Sequence, residues 1–185
     1  MTKQKFLLLF IAFFSYPIVL KTEAKNLIWN FPPLQIEILE NATLFDGSDF
    51  NLPISIDRAK KLFGCPRKVD RKNEYAIRRK FRRYDIVANS YEHEDKIEQI
   101  VIYFNHHWFY FDPSKIRCDS NVTVKIFGQI IDKNSTYDGL LKNPVLSSVL
   151  RENGPNSLVV NRNGIGLPVR LMFSYDGTIE AIEMS

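Results

Sequence analysis

One pattern, Ser-Tyr, a polar turn, then Ile-Glu-x-Ile, occurs twice in this chain and constrains the fold more than any other feature. In the first instance residues 85–91, ending in Ser90-Tyr91, run into a polar turn at 92–96 and return as residues 97–104. In the second, residues 169–175, ending in Ser174-Tyr175, run into Asp176-Gly177 and return as residues 178–184. Asp-Gly between two alternating apolar runs is a strong hairpin signal. A short amphipathic helix is predicted before each hairpin. Ser55 is placed to cap the first, with Ile56, Ala59, Leu62 and Phe63 on one face. Asn143 is placed to cap the second, with Pro144 at its first position and Leu146, Val149 and Leu150 on one face. Gly64 and Gly154 suit the left-handed residue that stops a helix, and a proline follows each closely. Residues 35–39 and 123–127 read as opening strands at comparable positions. The period is about 85 residues, too long for a solenoid and right for a duplicated small domain. The expected fold class is therefore α+β, as two tandem related units, each a short helix packed on an antiparallel meander sheet. The units span 34–112 and 122–185, with a linker at 113–121.

The chain begins with a different kind of segment. Lys3 and Lys5 precede an apolar run at 6–20, and Thr22-Glu23-Ala24 follows with a small residue at each position a signal peptidase reads. The run falls short of the roughly 20 apolar residues that span a bilayer. Residues 1–24 are expected to be a signal peptide, residues 25–33 an N-terminal segment, and the protein periplasmic or secreted, without stable membrane insertion once the signal is removed. Two cysteines remain, Cys65 and Cys118. In an exported protein an even count favours a bridge between them, worth roughly 3–4 kcal/mol in the chain-entropy model. Two buried thiols are the alternative.

Charge is unevenly placed. The formal net charge is +4, yet the stretch from Arg58 to Arg83 holds twelve basic residues against Asp70 and Glu74. Such a stretch attracts phosphates, acidic glycans, anionic lipid heads or an acidic protein face. On an extended strand Arg79 and Phe81 face one way, and Arg78, Lys80 and Arg82 the other. Arg78, Lys80, Arg82 and Arg83 are thus the candidate basic binding surface. The competing explanation is a solvated face paired to the acidic turn of Glu92, Glu94, Asp95 and Glu98. The expected partner is a protein or an anionic envelope polymer; export argues against nucleic acid.

Other chemistries find little support. His93, His106 and His107, with Glu92, Glu94, Asp95 and Asp112, are the only candidate metal ligands, and adjacent histidines on a strand point to opposite faces. No metal site is expected. There is no Gly-x-Ser-x-Gly, and Asn163-Gly-Ile-Gly166 lacks the Lys-Ser/Thr of a phosphate loop. No catalytic residue and no cofactor is assigned. The expectation is an exported non-enzymatic binding protein. The alternatives are an envelope structural or assembly component that binds anionic polymers, and a hydrolase whose site is assembled from scattered residues.

A helix ending in Gly-x-Pro or Gly-Pro, followed by a meander that returns through Ile-Glu-x-Ile, resembles small exported bacterial α+β domains. These include the groups of β-lactamase inhibitor protein and of the small lipoprotein of the outer-membrane assembly machine, and exported bacterial domains of unknown function. The resemblance covers residues 54–104 and, less fully, 144–184. It implies an inhibitor or immunity-type role against another macromolecule. That group carries two helices before its strands, where one is read here, and the lipid-bearing cysteine of the lipoprotein has no counterpart.

Overall fold

Alternating apolar residues build most of the structure. In the first half Leu34–Ile38 (β1), Thr43–Phe45 (β2), Ser48–Asp49 (β3) and Ile54–Ser55 (β4) lead into helix α1, Ile56–Phe63. Pro66–Asn73 (β5), Ala76–Phe81 (β6), Val87–Ser90 (β7), Lys96–Ile97 (β8) and Gln99–Tyr103 (β9) follow. In the second half Val122–Ile126 (β10) and Gln129–Ile131 (β11) precede two short helices, Tyr137–Lys142 (α2) and Leu146–Val149 (α3). Leu150–Glu152 (β12), Ser157–Val160 (β13), Val169–Phe173 (β14) and Ile179–Met184 (β15) complete the chain. This computed structural model describes residues 33–73, 76–81, 86–104, 122–162 and 167–185. Pro33–Ser185 form one compact unit.

The fold is mixed α+β, as expected, with mostly antiparallel strands and few short helices. One expectation is corrected. The halves do not build two separate sheets. Eight strands form a single sheet in the order β12-β13-β14-β15-β9-β7-β6-β5. β15 and β9 join the halves as antiparallel neighbours, with Ile182 opposite Ile102 and Met184 opposite Ile100. All four side chains lie in the same buried cluster, so the two meanders share one core. A second sheet, β11-β10-β1-β2-β3, also crosses between halves: β1 and β10 run parallel, from Leu34 opposite Val122 to Ile38 opposite Ile126. β4 and β8 form a small third ladder.

Helix ends follow the expected chemistry in the first half and depart from it in the second. The Ser55 hydroxyl accepts the Arg58 N–H at 3.2 Å, and Gly64 ends α1 at φ 79°. Asn143 Oδ1 accepts the N–H groups of Val145 (2.9 Å) and Leu146 (3.1 Å), the capping role expected of it. The helix it starts, however, stops at Val149. Leu150 opens β12, paired with Val160, and Gly154 at φ 82° lies between β12 and β13 rather than at a helix end. The helix α2 is additional, capped by Thr136, whose Oγ1 accepts the Gly139 N–H at 3.2 Å. Apolar packing closes the first half around four aromatic rings. Phe63 of α1 lies 5.8 Å from Phe45 and 5.5 Å from Phe81, and Phe50 lies 3.9 Å from Phe45.

Candidate binding surface

The basic stretch folds into the β5–β6 hairpin at one edge of the eight-stranded sheet. Arg79 and Phe81 are buried on the core side, as strand alternation requires. Arg79 Nη1 donates to Ser90 Oγ at 2.6 Å, and Nη2 donates to the Glu94 carbonyl at 2.7 Å. Burial lowers its pKa, and the Glu94 charge acts the other way. Arg79 therefore pins the acidic turn to the sheet through the main-chain carbonyl of Glu94. Arg78 stands on the opposite face, half-buried, with Nε donating to Asn89 Oδ1 at 3.4 Å. Asn89 Nδ2 donates to Gln99 Oε1 at 2.6 Å, and the Tyr91 hydroxyl donates to the same oxygen. Lys80 stands in register opposite Lys68 on one side and Val87 on the other. Arg82 and Arg83 lie outside the described residues.

Beside this polar row the same face carries a small second apolar cluster. Val87, Val101 and Ala181 are buried there, with Tyr103 and Met172 packed against them. Burial raises the Tyr103 pKa; the Arg78 charge opposes this and the Glu183 charge adds to it, so these polar groups lie within electrostatic reach of one another. A cavity of about 100 Å³ lies between Val159, Arg170 and Glu183, well below the roughly 300–1,000 Å³ of ligand pockets.

The acidic turn gathers Glu92, His93 and Glu98, each offering a ligand atom within 4.8 Å of the others. This grouping differs from the one expected: Glu98 takes part, Glu94 and Asp95 do not, and His106, His107 and Asp112 lie outside the described residues. Glu98 is already employed by the turn. Its Oε2 accepts the N–H groups of Tyr91 and Glu92 (the latter at 2.9 Å), and Oε1 lies 3.4 Å from His93 Nδ1. Desolvation pushes its pKa up, but these hydrogen bonds outweigh it and the net shift is downward. A depressed carboxylate pKa stabilises the fold fully above the unfolded value, and that contribution is lost as pH falls through the folded value. Glu98→Gln should therefore lower the melting temperature at neutral pH and narrow the gap between neutral and acid melts. An unchanged gap would remove Glu98 from this role.

Cys65 is an exposed free thiol just past the α1 stop. The other member of the expected bridge, Cys118, lies outside the described residues. Sequence reasoning passed over Arg162, which is buried. Its Nη1 donates to the carbonyls of Leu39 (3.3 Å) and Ala42 (3.1 Å) and to Thr43 Oγ1 (3.0 Å), and Nη2 donates to the Leu167 carbonyl. It ties the end of β13 to the β1–β2 connection of the other half. No family model, curated protein or solved structure matches this chain. The surface must be interpreted from its own chemistry. Among the described residues no helix is long and apolar enough to cross a membrane.

Proposed function

We propose that this chain is an exported, non-enzymatic binding protein that engages an acidic macromolecular partner through the β5–β6 side of its eight-stranded sheet. The observation that carries this reading is how the basic stretch divides. Arg79 is consumed by the fold, whereas Arg78 lies on the other face in a polar row with Asn89, Gln99 and Tyr91. The row belongs to a hairpin whose strands hold seven basic residues against one acidic. Export rests on the leader-like residues 1–24, and an inhibitor-type role on the family resemblance.

The same proposal includes a duplicated origin, which four recurring relations support. Ser55 and Thr136 each cap a helix by accepting an N–H at 3.2 Å. The next residues, Ile56 and Tyr137, donate their N–H groups to the turn carbonyls of Asp95 (3.1 Å) and Gly177 (2.8 Å). Ser55 pairs with Lys96, and Thr136 forms a bridge with Thr178. The hydroxyls of Ser90 and Ser174 donate to the carbonyls of those same two residues, Lys96 and Thr178. This alignment sets Ser55 against Thr136, one helix earlier than Asn143, and keeps both Ile-Glu-x-Ile strands in step.

The test is capture of partners from envelope extract by the mature protein. Changing Arg78, Lys80 and Arg82 together to Ser should weaken capture, chiefly at low salt, where screening is least. Capture that is unchanged across salt would show that recognition lies elsewhere.

A further inference from the structure

We infer that β11, the open edge of the five-stranded sheet, pairs with β11 of a second copy of this chain about a two-fold axis centred on Ile130. The two larger sheets end in β5 and β12 and in β3 and β11, and sheet edges are where other strands add unless something deters them. β5 begins at Pro66 and its register shifts twice. At β12, Arg151 Nη1 donates to the Leu150 carbonyl at 2.9 Å. β3 and β11 close two hairpins of the same form. Asp46-Gly47 and Phe127-Gly128 both have positive φ, 48° and 75° in the first and 48° and 79° in the second. In such two-residue turns the flanking residues form a hydrogen-bonded pair. The next pair out, Leu44 with Asp49 and Lys125 with Ile130, is then of the non-bonded kind. The N–H and C=O of Asp49 and of Ile130 therefore point away from their own hairpin partners. Arg58 Nη2 donates to the Asp49 carbonyl at 3.1 Å. Among the described residues nothing bonds the outward pair on Ile130, and its side chain is 62% exposed.

A second copy fits this edge by symmetry. Two Ile130 residues set opposite one another exchange both hydrogen bonds, each N–H donating to the other's carbonyl, as an antiparallel bonded pair does. Residues 127–131 carry no charge, and about that axis Asp132 stands opposite Gly128 and Lys133 opposite Phe127, so like charges do not meet. Lys125, the cross-strand neighbour of Ile130, is matched by Glu37 at 3.3 Å. A foreign strand of several residues gains less. Beyond Ile130 the Asp132 N–H donates to Ser135 Oγ at 3.1 Å, and the Asp132 carbonyl accepts the Ser135 N–H at 3.0 Å. The edge thus offers one residue's pair of bonds and no longer ladder. A second copy makes those two bonds and also buries one Ile130 against the other, a cross-strand pair of branched side chains. Its α2–α3 corner comes with it: Asn143 Nδ2 donates to Gln129 Oε1 at 3.3 Å, and Val145 of that corner is 41% exposed. The contact is isologous, so it uses up both edges and stops at two copies.

Purified as its cells produce it, the protein should sediment as monomers at low concentration and as dimers at high, with no larger species. Ile130→Lys sets two ammonium groups at the axis and should weaken association by about tenfold or more. It should melt within about 2 °C of wild type where both are monomeric, because the side chain is exposed. Ile130→Cys treated with oxidised glutathione should give a disulfide joining position 130 of the two copies. The Cα atoms of a bonded antiparallel pair lie about 5.5 Å apart, within disulfide reach. Lys133→Cys, exposed and three residues from the axis, should link to itself far more slowly. Should Ile130→Lys fail to fold, the linkage pattern still decides. β11 belongs to a different sheet from β5, so failure here leaves the acidic-partner reading untouched. A monomer at every concentration, association left intact by Ile130→Lys, or equally ready linkage at position 133 would overturn the inference. Addition of another protein's strand to β11 of a chain that itself stays monomeric would overturn it too.

Discussion

Phe63→Ala is expected to destabilise the protein by about 4 kcal/mol, near the middle of the range for emptying a buried aromatic site. Phe63 has no solvent exposure. It is the point where three elements meet: it leaves α1, touches Phe45 of β2 in the five-stranded sheet, and lies edge-on to Phe81 of β6 in the eight-stranded sheet. Phe50 lies 6.4 Å away and is itself stacked on Phe45, so collapse around the void would disturb ring pairs already made. Partial relaxation is why such cavities cost more than the lost transfer energy. For a chain of this size the corresponding fall in melting temperature is about 10 °C. Urea unfolding should show a lower midpoint with an unchanged slope. A loss below about 1 kcal/mol would mean that the cluster repacks freely and does not hold the two sheets together.

Arg162→Ala should cost about 3 kcal/mol, through unmet hydrogen bonds more than through lost volume. Its guanidinium serves four acceptors, three on the β1–β2 connection and one at Leu167. Burial lowers its pKa, and a set of carbonyl and hydroxyl oxygens compensates the charge. Arg162→Met separates the two causes, since it restores much of the bulk and none of the donors. Both variants should be destabilised to a similar degree in thermal and urea melts. Recovery of near-wild-type stability by Met would assign the effect to packing.

The parts of this fold that were legible in advance are those governed by neighbouring residues. The Asp176-Gly177 hairpin, the Ser55 cap, the Gly64 stop and the division of Arg79 and Phe81 from Arg78 all follow from alternation or local hydrogen bonding. What escaped depends on residues far apart in the chain. Nothing local distinguishes two small sheets from one sheet closed through β9 and β15, because Ile102 and Ile182 read as core in either case. The helix α2 spans only Tyr137–Lys142, too short to show a helical period. Leu150 fits the apolar face of a helix and equally the first position of a strand, and pairing with Val160 decided the matter. Arg162 sits in a polar run, Asn161-Arg-Asn-Gly164, that reads as an exposed turn. Only the packing of the other half reveals that it is buried. Of the proposed surface, the face assignment was visible and the engagement of Arg78 with Asn89 was not, since the latter needs the register between β6 and β7.

The parallel pairing of β1 with β10 has a consequence for incomplete chains. β1 lies between β10 and β2, so one side of the first described strand is completed by a strand from the second half. β9 likewise has β7 on one side and waits for β15 on the other. A polypeptide that ends before Val122, through premature termination or proteolysis, loses the strands that pair with these two edges, and among its described residues no other strand takes their place. Such edges are where strands of other molecules add, and β1 offers Leu34, Ile36 and Ile38 beside its own. Clipped first halves should therefore sediment as aggregates where the intact chain stays in solution, because the second half covers both edges in the folded protein.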